Sequence, residues 1–159
     1  MHRSINELQR PFLSKEQVKA SFDLMGLDTQ LIEDGTYYII EDENTLVGCG
    51  GWSYRTTLFG ANHTAGRDAA HLDPKTEAAR IRAMYTHPEW TRRGIGKTIM
   101  NLCEKAARKA GFNRAAMAST LAGAPLYEKC GYTSIEHFEA ETSCGILVPL
   151  IRMEKDITT

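Results

Sequence analysis

The fold is decided by residues 79–100, ARIRAMYTHPEWTRRGIGKTIM. The first eight of these residues predict a strand that ends before Pro88, because proline cannot continue a ladder of backbone hydrogen bonds. A helix is predicted over about 94–110, since apolar residues recur at the spacing of one helix face and Gly111 supplies the usual C-terminal glycine. The stretch therefore predicts a strand, a glycine-containing turn and a helix in direct succession.

Further elements are predicted on both sides of this stretch. Ser14-Lys15-Glu16-Gln17 fits a capping box, and the apolar spacing after it predicts a helix that ends near Gly26. Glycines within one of the strands, at 48, 50 and 51, indicate a bulge or a close backbone approach. The predicted strands are 36–41, 45–52, 79–86, 115–119, 132–138 and 147–153, and a short helix is predicted over 125–130. This alternation predicts an α/β fold with a mixed sheet and at least one parallel pair.

Composition limits the classes of function. The chain has 159 residues, which favours a single domain over 1–159, and a formal net charge of -1. Because proteins dedicated to nucleic acids or membrane surfaces usually carry a basic excess, we expect neither partner. The sequence has no secretory signal pattern, and its four cysteines form no C-x-x-C pair, so we expect a cytoplasmic protein with reduced thiols and no metal site. His63, His71 and Asp73 match no standard metal-ligand spacing.

The turn at residues 91–98, TRRGIGKT, is predicted to bind a phosphate group. Free amides at a helix N-terminus attract anions, and Arg92, Arg93 and Lys97 add positive charge there. A glycine turn with solvated basic residues is the plainer alternative. Neither common nucleotide motif fits, because a Walker A loop needs glycine where this chain has Thr91, and a dinucleotide fingerprint needs glycine where it has Ile99.

Together with APLYEKCGY at residues 124–132, residues 79–100 resemble the GNAT N-acetyltransferase superfamily, and the resemblance extends over about 36–155. The family's turn is usually written Q/R-x-x-G-x-G/A, which Gly94 and Gly96 match, whereas Thr91 stands where Gln or Arg is usual. The resemblance implies the GNAT fold, in which two central parallel strands splay apart. It also implies acetyl-coenzyme A as cosubstrate and a primary amine of a small molecule or peptide as acceptor, attacking directly in a ternary complex.

The resemblance also implies which residues form the site. Tyr127 matches the family tyrosine that protonates the departing thiolate, and a phenol is protonated at neutral pH. Thr120 stands where many members carry an asparagine that contacts the cofactor. The residues implied to bind coenzyme A are Met84, Tyr85, Thr86, Arg92, Arg93, Gly94, Ile95, Gly96, Lys97, Thr98 and Thr120.

The general base is less clearly indicated. Some members carry a glutamate where this chain has Arg80, and arginine cannot act as a base at neutral pH. Deprotonation is then expected through water or another group, and Glu77, Asp73 and His71 are nearest in sequence; we assign Glu77 as the candidate. By period-two alternation, Arg80 and Arg82 share a face with Met84, where they either meet a substrate carboxylate or pair internally with acidic residues, which we favour.

Two classes of function therefore stay open, an N-acetyltransferase and a non-catalytic acyl-coenzyme A-binding sensor of the same fold. The missing glutamate motivates the second. The chain also departs from the family at its start, where no apolar strand precedes Ser14. The first strand is thus predicted to be absent, rebuilt or supplied by a partner chain, which would leave an edge near 37–40 available for a homodimer. No motif specifies the acceptor in residues 13–31, 53–77 or 138–145.

Overall fold

The computed structural model describes residues 1–158, and its centre is one six-stranded mixed sheet. The strand order is β1-β2-β3-β4-β6-β5, and only the β3–β4 pair is parallel. The strands are β1 (Tyr37–Asp42), β2 (Thr45–Ser53), β3 (Ala79–Thr86), β4 (Arg114–Thr120), β5 (Thr133–Glu141) and β6 (Leu147–Asp156). The predicted α/β class with a parallel pair is confirmed.

The helices cover both faces of this sheet. They are α1 (His2–Leu8), α2 (Lys15–Ala20), α3 (Thr29–Glu33), α4 (Ile95–Lys109) and α5 (Ala124–Lys129), with 3-10 turns at Ser21–Asp23 and Pro88–Trp90. On one face, α4 packs Ile99 and Cys103 into the larger apolar cluster together with Ile81. On the other face, Leu24 packs with Val148 and Leu150 in a second cluster. No helix within residues 1–158 is both long and apolar enough to cross a membrane.

The structure confirms the strand–turn–helix prediction closely, since β3 has the predicted bounds and α4 begins beside Gly94. The capping box is also confirmed: the Ser14 side chain accepts from the Gln17 amide at 3.1 Å, and the Gln17 side chain accepts from the Ser14 amide at 3.1 Å. The predicted end of this helix was wrong, because α2 stops at Ala20. The Ser21 hydroxyl donates to the Gln17 carbonyl at 2.8 Å, a local bond that competes with regular helix geometry.

The N-terminal departure from the family plan is confirmed. Residues 2–8 form α1 rather than a strand, and β1 is therefore an edge strand of the sheet that the structure describes. Ile39 on β1 is 59% exposed, as expected for an unpaired edge. No sequence pattern predicted α1 itself, which is only seven residues long.

The glycines of β2 make room for side chains of α4 and of the neighbouring strand β3. A Cβ on Gly48 would lie 2.3 Å from the Ile95 side chain, and one on Gly50 would lie 2.2 Å from Met84 Sδ. Both distances are too short for any side chain. The predicted close approach is confirmed, whereas the irregularity opposite these glycines has its extra residue on β3 and not on β2, where the bulge was expected.

Candidate functional site

The site begins where the two parallel strands separate. Strand β3 pairs with β4 only at Ala79–Ala115 and Arg80–Ala116, whereas its pairing with β2 continues to Thr86. Beyond Arg80, the backbone edges of β3 and β4 that face one another are therefore without a ladder partner. This is the splay that the resemblance implied.

A bulge in β3 lies inside the splayed region. Cys49 of β2 is opposite Tyr85 while Gly51 is opposite Arg82, so Ala83 and Met84 together face one residue of β2. Ala83 has a φ of 51°, which is costly for a residue with a Cβ. Such a bulge redirects side chains and disturbs the ladder at a chosen point.

The bulge overturns one prediction about side-chain direction. The expectation that Met84 shares a face with Arg80 and Arg82 was wrong, because the extra residue shifts the alternation by one. Met84 lies beside Ile99 on the α4 side, whereas the Tyr85 hydroxyl accepts from the Gly26 amide at 2.9 Å on the opposite side. Tyr85 thus takes the place beside Arg82, and burial raises its pKa to about 12.

The splay opens into a cleft with a cavity volume of about 90 Å³. Its walls come from β3, β4, the segment before α3, the loop after β2, and α5. Four residues implied by the resemblance line this cleft, namely Met84, Tyr85, Thr120 and Tyr127. Unpredicted lining residues are Leu24, Met25, Gly26, Leu58, Phe59, Gly60, Ile81, Arg82, Ala83, Met117, Ala118 and Leu150.

Tyr127 is held in the cleft by the short helix α5. The residue is buried, and its ring lies 6.4 Å from that of Tyr132 in an edge-on arrangement. Burial raises the pKa of Tyr127 above its ordinary value, so the phenol keeps its proton. Its hydroxyl makes no hydrogen bond within residues 1–158, and because the hydroxyl is not a fully buried unpartnered atom and the residue lines the cleft, its proton is available to a ligand.

The glycine turn lies at the N-terminus of α4. Gly94 is the N-cap residue with a φ of 82°, and Arg92 also has a positive φ of 62°. In the described chain, Thr98 is the first residue of α4 whose amide reaches a protein carbonyl, that of Gly94 at 2.9 Å. The preceding amides are open to a ligand, as at any uncapped helix start. Arg92, Arg93 and Lys97 are exposed there.

Other implied residues near the turn have mainly structural contacts. The guanidinium of Arg93 lies 5.5 Å from the centre of the Trp90 ring. Gly96 lets Leu126 of α5 approach, since a Cβ there would lie 2.5 Å from its side chain. Thr98 donates its hydroxyl to the Gly94 carbonyl at 3.1 Å. Ile95 is buried against the sheet, and Thr86 pairs with Gly48.

Thr120 lies at the end of β4, where it shapes the entrance to α5. Its hydroxyl accepts from the Gly123 amide at 3.0 Å. Because the residue also lines the cleft, one face of it is available to a ligand. Through its bond to the Gly123 amide, the hydroxyl also fixes the turn that leads into α5 and Tyr127.

Glu77 is not brought into the cleft. It precedes β3 at the end opposite Tyr85, on the order of 25 Å away at the usual rise of a strand. Its carboxylate accepts from the Asp73 amide at 2.7 Å. His71 packs edge-on against Tyr54, with ring centres 5.1 Å apart. Within the described chain, no Asp, Glu or His lines the cleft.

The most important contact missed from the sequence is a buried ion pair beside the cleft. Nη2 of Arg82 lies 2.9 Å from Oδ2 of Asp28, and both side chains are almost fully buried. Oδ2 of Asp28 accepts no hydrogen bond in the described chain, so the pair is a charge contact. Burial lowers the pKa of Arg82 to about 10, with Asp28 opposing the shift. The internal pairing that we favoured is confirmed for Arg82, whereas Arg80 contacts the Thr56 carbonyl instead, at 3.4 Å.

Sequence comparison places this geometry in a family. Residues 2–132, well over half of the chain, match the model of the acetyltransferase (GNAT) family. The chain belongs to the GNAT acetyltransferase family. Membership makes it an acyltransferase.

Solved structures with the same fold are distant in sequence. A GCN5-related N-acetyltransferase from Rhodopseudomonas palustris, also described as a class-II aminotransferase, aligns with a TM-score of 0.70 and 19% identity over 98% of this chain and 84% of that one. The PaiA N-acetyltransferase of Thermoplasma acidophilum in complex with coenzyme A aligns with a TM-score of 0.60 and 16% identity, over 98% of this chain and 87% of that one. The ribosomal-protein-alanine N-acetyltransferase of Brucella melitensis aligns with a TM-score of 0.59 and 14% identity, over 98% of this chain and 91% of that one. A search of curated proteins found no significant match.

Proposed function

We propose that this GNAT protein transfers the acetyl group of acetyl-coenzyme A to a primary amine of a small molecule or peptide, by direct attack in a ternary complex. One observation carries the proposal: the splay of β3 and β4 opens a cleft that contains the unpartnered hydroxyl of Tyr127. Proton donor and unpaired backbone edge thus meet in one cavity.

The described residues fit coenzyme A as a ligand. The open amides before Thr98 suit a pyrophosphate, because a helix N-terminus carries partial positive charge. Arg92, Arg93 and Lys97 would offset the phosphate charges from the same turn. The unpaired edge of β3 from Met84 to Thr86 would bind the pantetheine arm through its amides and carbonyls.

Bound acetyl-coenzyme A supplies an acetyl thioester whose sulfur leaves as a thiolate. The exposed amides of β3 near the Ala83 bulge would polarise the thioester carbonyl. Tyr127 would donate its proton to the departing sulfur, and burial favours this role because it keeps the phenol neutral. Since no carboxylate or imidazole of residues 1–158 lines the cleft, the acceptor amine would lose its proton to water there.

A first experiment follows thiol release from acetyl-coenzyme A across a panel of primary amines, using wild type, Tyr127→Phe and the control Tyr38→Phe. Tyr38 is a partly buried tyrosine packed on the core away from the cleft. We expect Tyr127→Phe to lower kcat by roughly 100-fold, the usual contribution of a positioned general acid, with unchanged coenzyme A affinity. Because the pKa of Tyr127 is raised, the phenol should stay protonated and wild-type kcat should not fall between about pH 7 and pH 9.5.

Glu77→Gln belongs to the same experiment. Its distance from the cleft predicts an unchanged rate and pH profile, and a loss of rate would return Glu77 to the mechanism. Wild-type activity in Tyr127→Phe would remove the acid assignment.

The sensor alternative rests on the same absence of a carboxylate from the described cleft. It predicts coenzyme A binding, seen as a rise in melting temperature, without thiol release on any amine. That result would replace the enzymatic proposal.

A further inference from the structure

A second cavity lies beside the cleft, and we call it the arginine cavity. It has a volume of about 460 Å³ between α3 and the loop after β2, and three arginines line it, Arg55, Arg67 and Arg82. Arg82 lines both this cavity and the cleft that contains Tyr127. The two spaces therefore meet at one residue, Arg82.

The charged groups around this cavity are unevenly paired. Asp34 holds Arg55 through two contacts of 2.7 Å, and this pair is neutral. Arg67 and Arg82 share a single carboxylate, that of Asp28, at 2.9 Å each. Glu33 lies exposed on the cavity wall and forms no ion pair with any arginine within residues 1–158. With Glu33 counted, three arginines face three carboxylates, but Arg67 and Arg82 have only Asp28 in contact between them, so one guanidinium charge is unpaired where the cavity borders the cleft.

The two arginines also retain unused donors. A guanidinium carries five N–H groups. Arg67 donates only through Nη2, to Asp28, and Arg82 donates only through Nη2, to the Gly60 carbonyl; the Nε and Nη1 groups of both lack an acceptor in the described chain. The Arg82 side chain is only 3% exposed. None of these nitrogens is a fully buried atom without a partner, so they face open space that a polar ligand can enter.

We propose that the arginine cavity binds the carboxylate of the acceptor, with Arg67 and Arg82 as its donors. This inference rests on the proposed acetyl transfer and names its acceptor class, an amino acid or a similar primary amine that bears a carboxylate. A carboxylate matches both the unpaired guanidinium charge and the fork of guanidinium donors. Since Arg82 also borders the cleft, a carboxylate held there places the amine on the side of Tyr127.

The test compares acceptors that differ only in the anionic group. Leucine, methionine and phenylalanine are each assayed beside their carboxamides, with acetyl-coenzyme A and thiol release as the readout. O-phosphoethanolamine is included to distinguish a phosphate from a carboxylate. We expect kcat/KM to be at least about 10-fold higher for the preferred amino acid than for its carboxamide, mostly through KM, because charge-assisted hydrogen bonds are the strong ones.

Arg67 is the residue to change, because it is partly exposed and Asp28 keeps its partner Arg82 when it is removed. Arg67→Gln should lose roughly 10- to 100-fold in kcat/KM for the amino acid and little for the carboxamide, with coenzyme A binding intact. Arg67→Lys should restore part of this loss, and Arg10→Gln, at an exposed arginine outside both cavities, should match wild type.

A direct binding measurement separates this inference from the proposed function. Calorimetry is performed with the same amino acids on protein saturated with coenzyme A. Binding that is lost in Arg67→Gln, without turnover of any amine, would support the cavity and overturn the acetyl transfer. Turnover with equal kcat/KM for amino acid and carboxamide, or a preference for O-phosphoethanolamine alone, would overturn the carboxylate assignment. If neither turnover nor binding were observed, both the acetyl transfer and the carboxylate site would be overturned.

Discussion

At the scale of single residues, backbone conformation decides what the turn at α4 can bind. Gly94 and Gly111 flank the same helix with positive φ values of 82° and 95°, and neither would bring a Cβ closer than ordinary contact to its surroundings. Any cost of alanine at either position therefore comes from backbone strain rather than from a clash. Only Gly94 lies at the open amides before Thr98.

This pair gives a matched prediction. Gly94→Ala and Gly111→Ala should each lower the free energy of unfolding by about 1 kcal/mol, since a left-handed residue with a Cβ costs about 1–2 kcal/mol and a stiffer unfolded chain returns part of it. Only Gly94→Ala should also weaken coenzyme A, by roughly 10-fold, because the turn amides move. Chemical unfolding and calorimetry measure the two effects. Equal affinities in the two variants would show that the turn does not hold the phosphates.

At the scale of elements, sequence patterns predicted what local physics fixes. The bounds of β3 and the start of α4 follow from alternation, a proline stop and glycines, and the structure has them where they were predicted. The bulge at Ala83 could not be predicted, because alanine gives no signal for a φ of 51° and the extra residue is defined only against β2. The pairing of Asp28 with Arg82 joins positions 54 residues apart, and is set by tertiary packing.

Helix α2 offers a prediction at the same scale, because its capping box is complete and the 3-10 turn that follows leads into the cleft wall at Leu24. Ser14→Ala should lower the free energy of unfolding by about 1 kcal/mol, whereas Ser14→Gly should cost only a few tenths, since glycine is accepted at an N-cap. For a chain of this size, the first change should lower Tm by about 2–4 °C. Coenzyme A affinity should be the same in both variants. An equal free energy of unfolding in Ser14→Ala and wild type would mean that the capping box does not form in solution.

At the scale of the whole molecule, charge is nearly balanced while its distribution is not. The net charge is -1, yet Arg92, Arg93 and Lys97 gather at one helix start, and Arg67 and Arg82 share one carboxylate at the arginine cavity. Both concentrations lie beside the splay of β3 and β4, at the proposed sites of a polyanionic donor and a carboxylate-bearing acceptor. The net charge alone could not predict either concentration of positive charge, because it does not say where the charged residues lie.

The open edge of the sheet predicts association. Strand β1 exposes its outer backbone groups, and Ile39 on it is 59% exposed, an arrangement that favours pairing with another strand. We expect two copies to pair along β1, so sedimentation should give twice the 17.7 kDa of one chain. Ile39→Lys should produce monomers, because a charged side chain on an edge strand opposes pairing.

The matched control is Ile135→Lys on β5, the other edge of the sheet, where Ile135 is 53% exposed. This variant should leave the dimer intact. A wild-type chain that sediments as a monomer at working concentration would remove the dimer, and dissociation by Ile135→Lys alone would move the interface to β5.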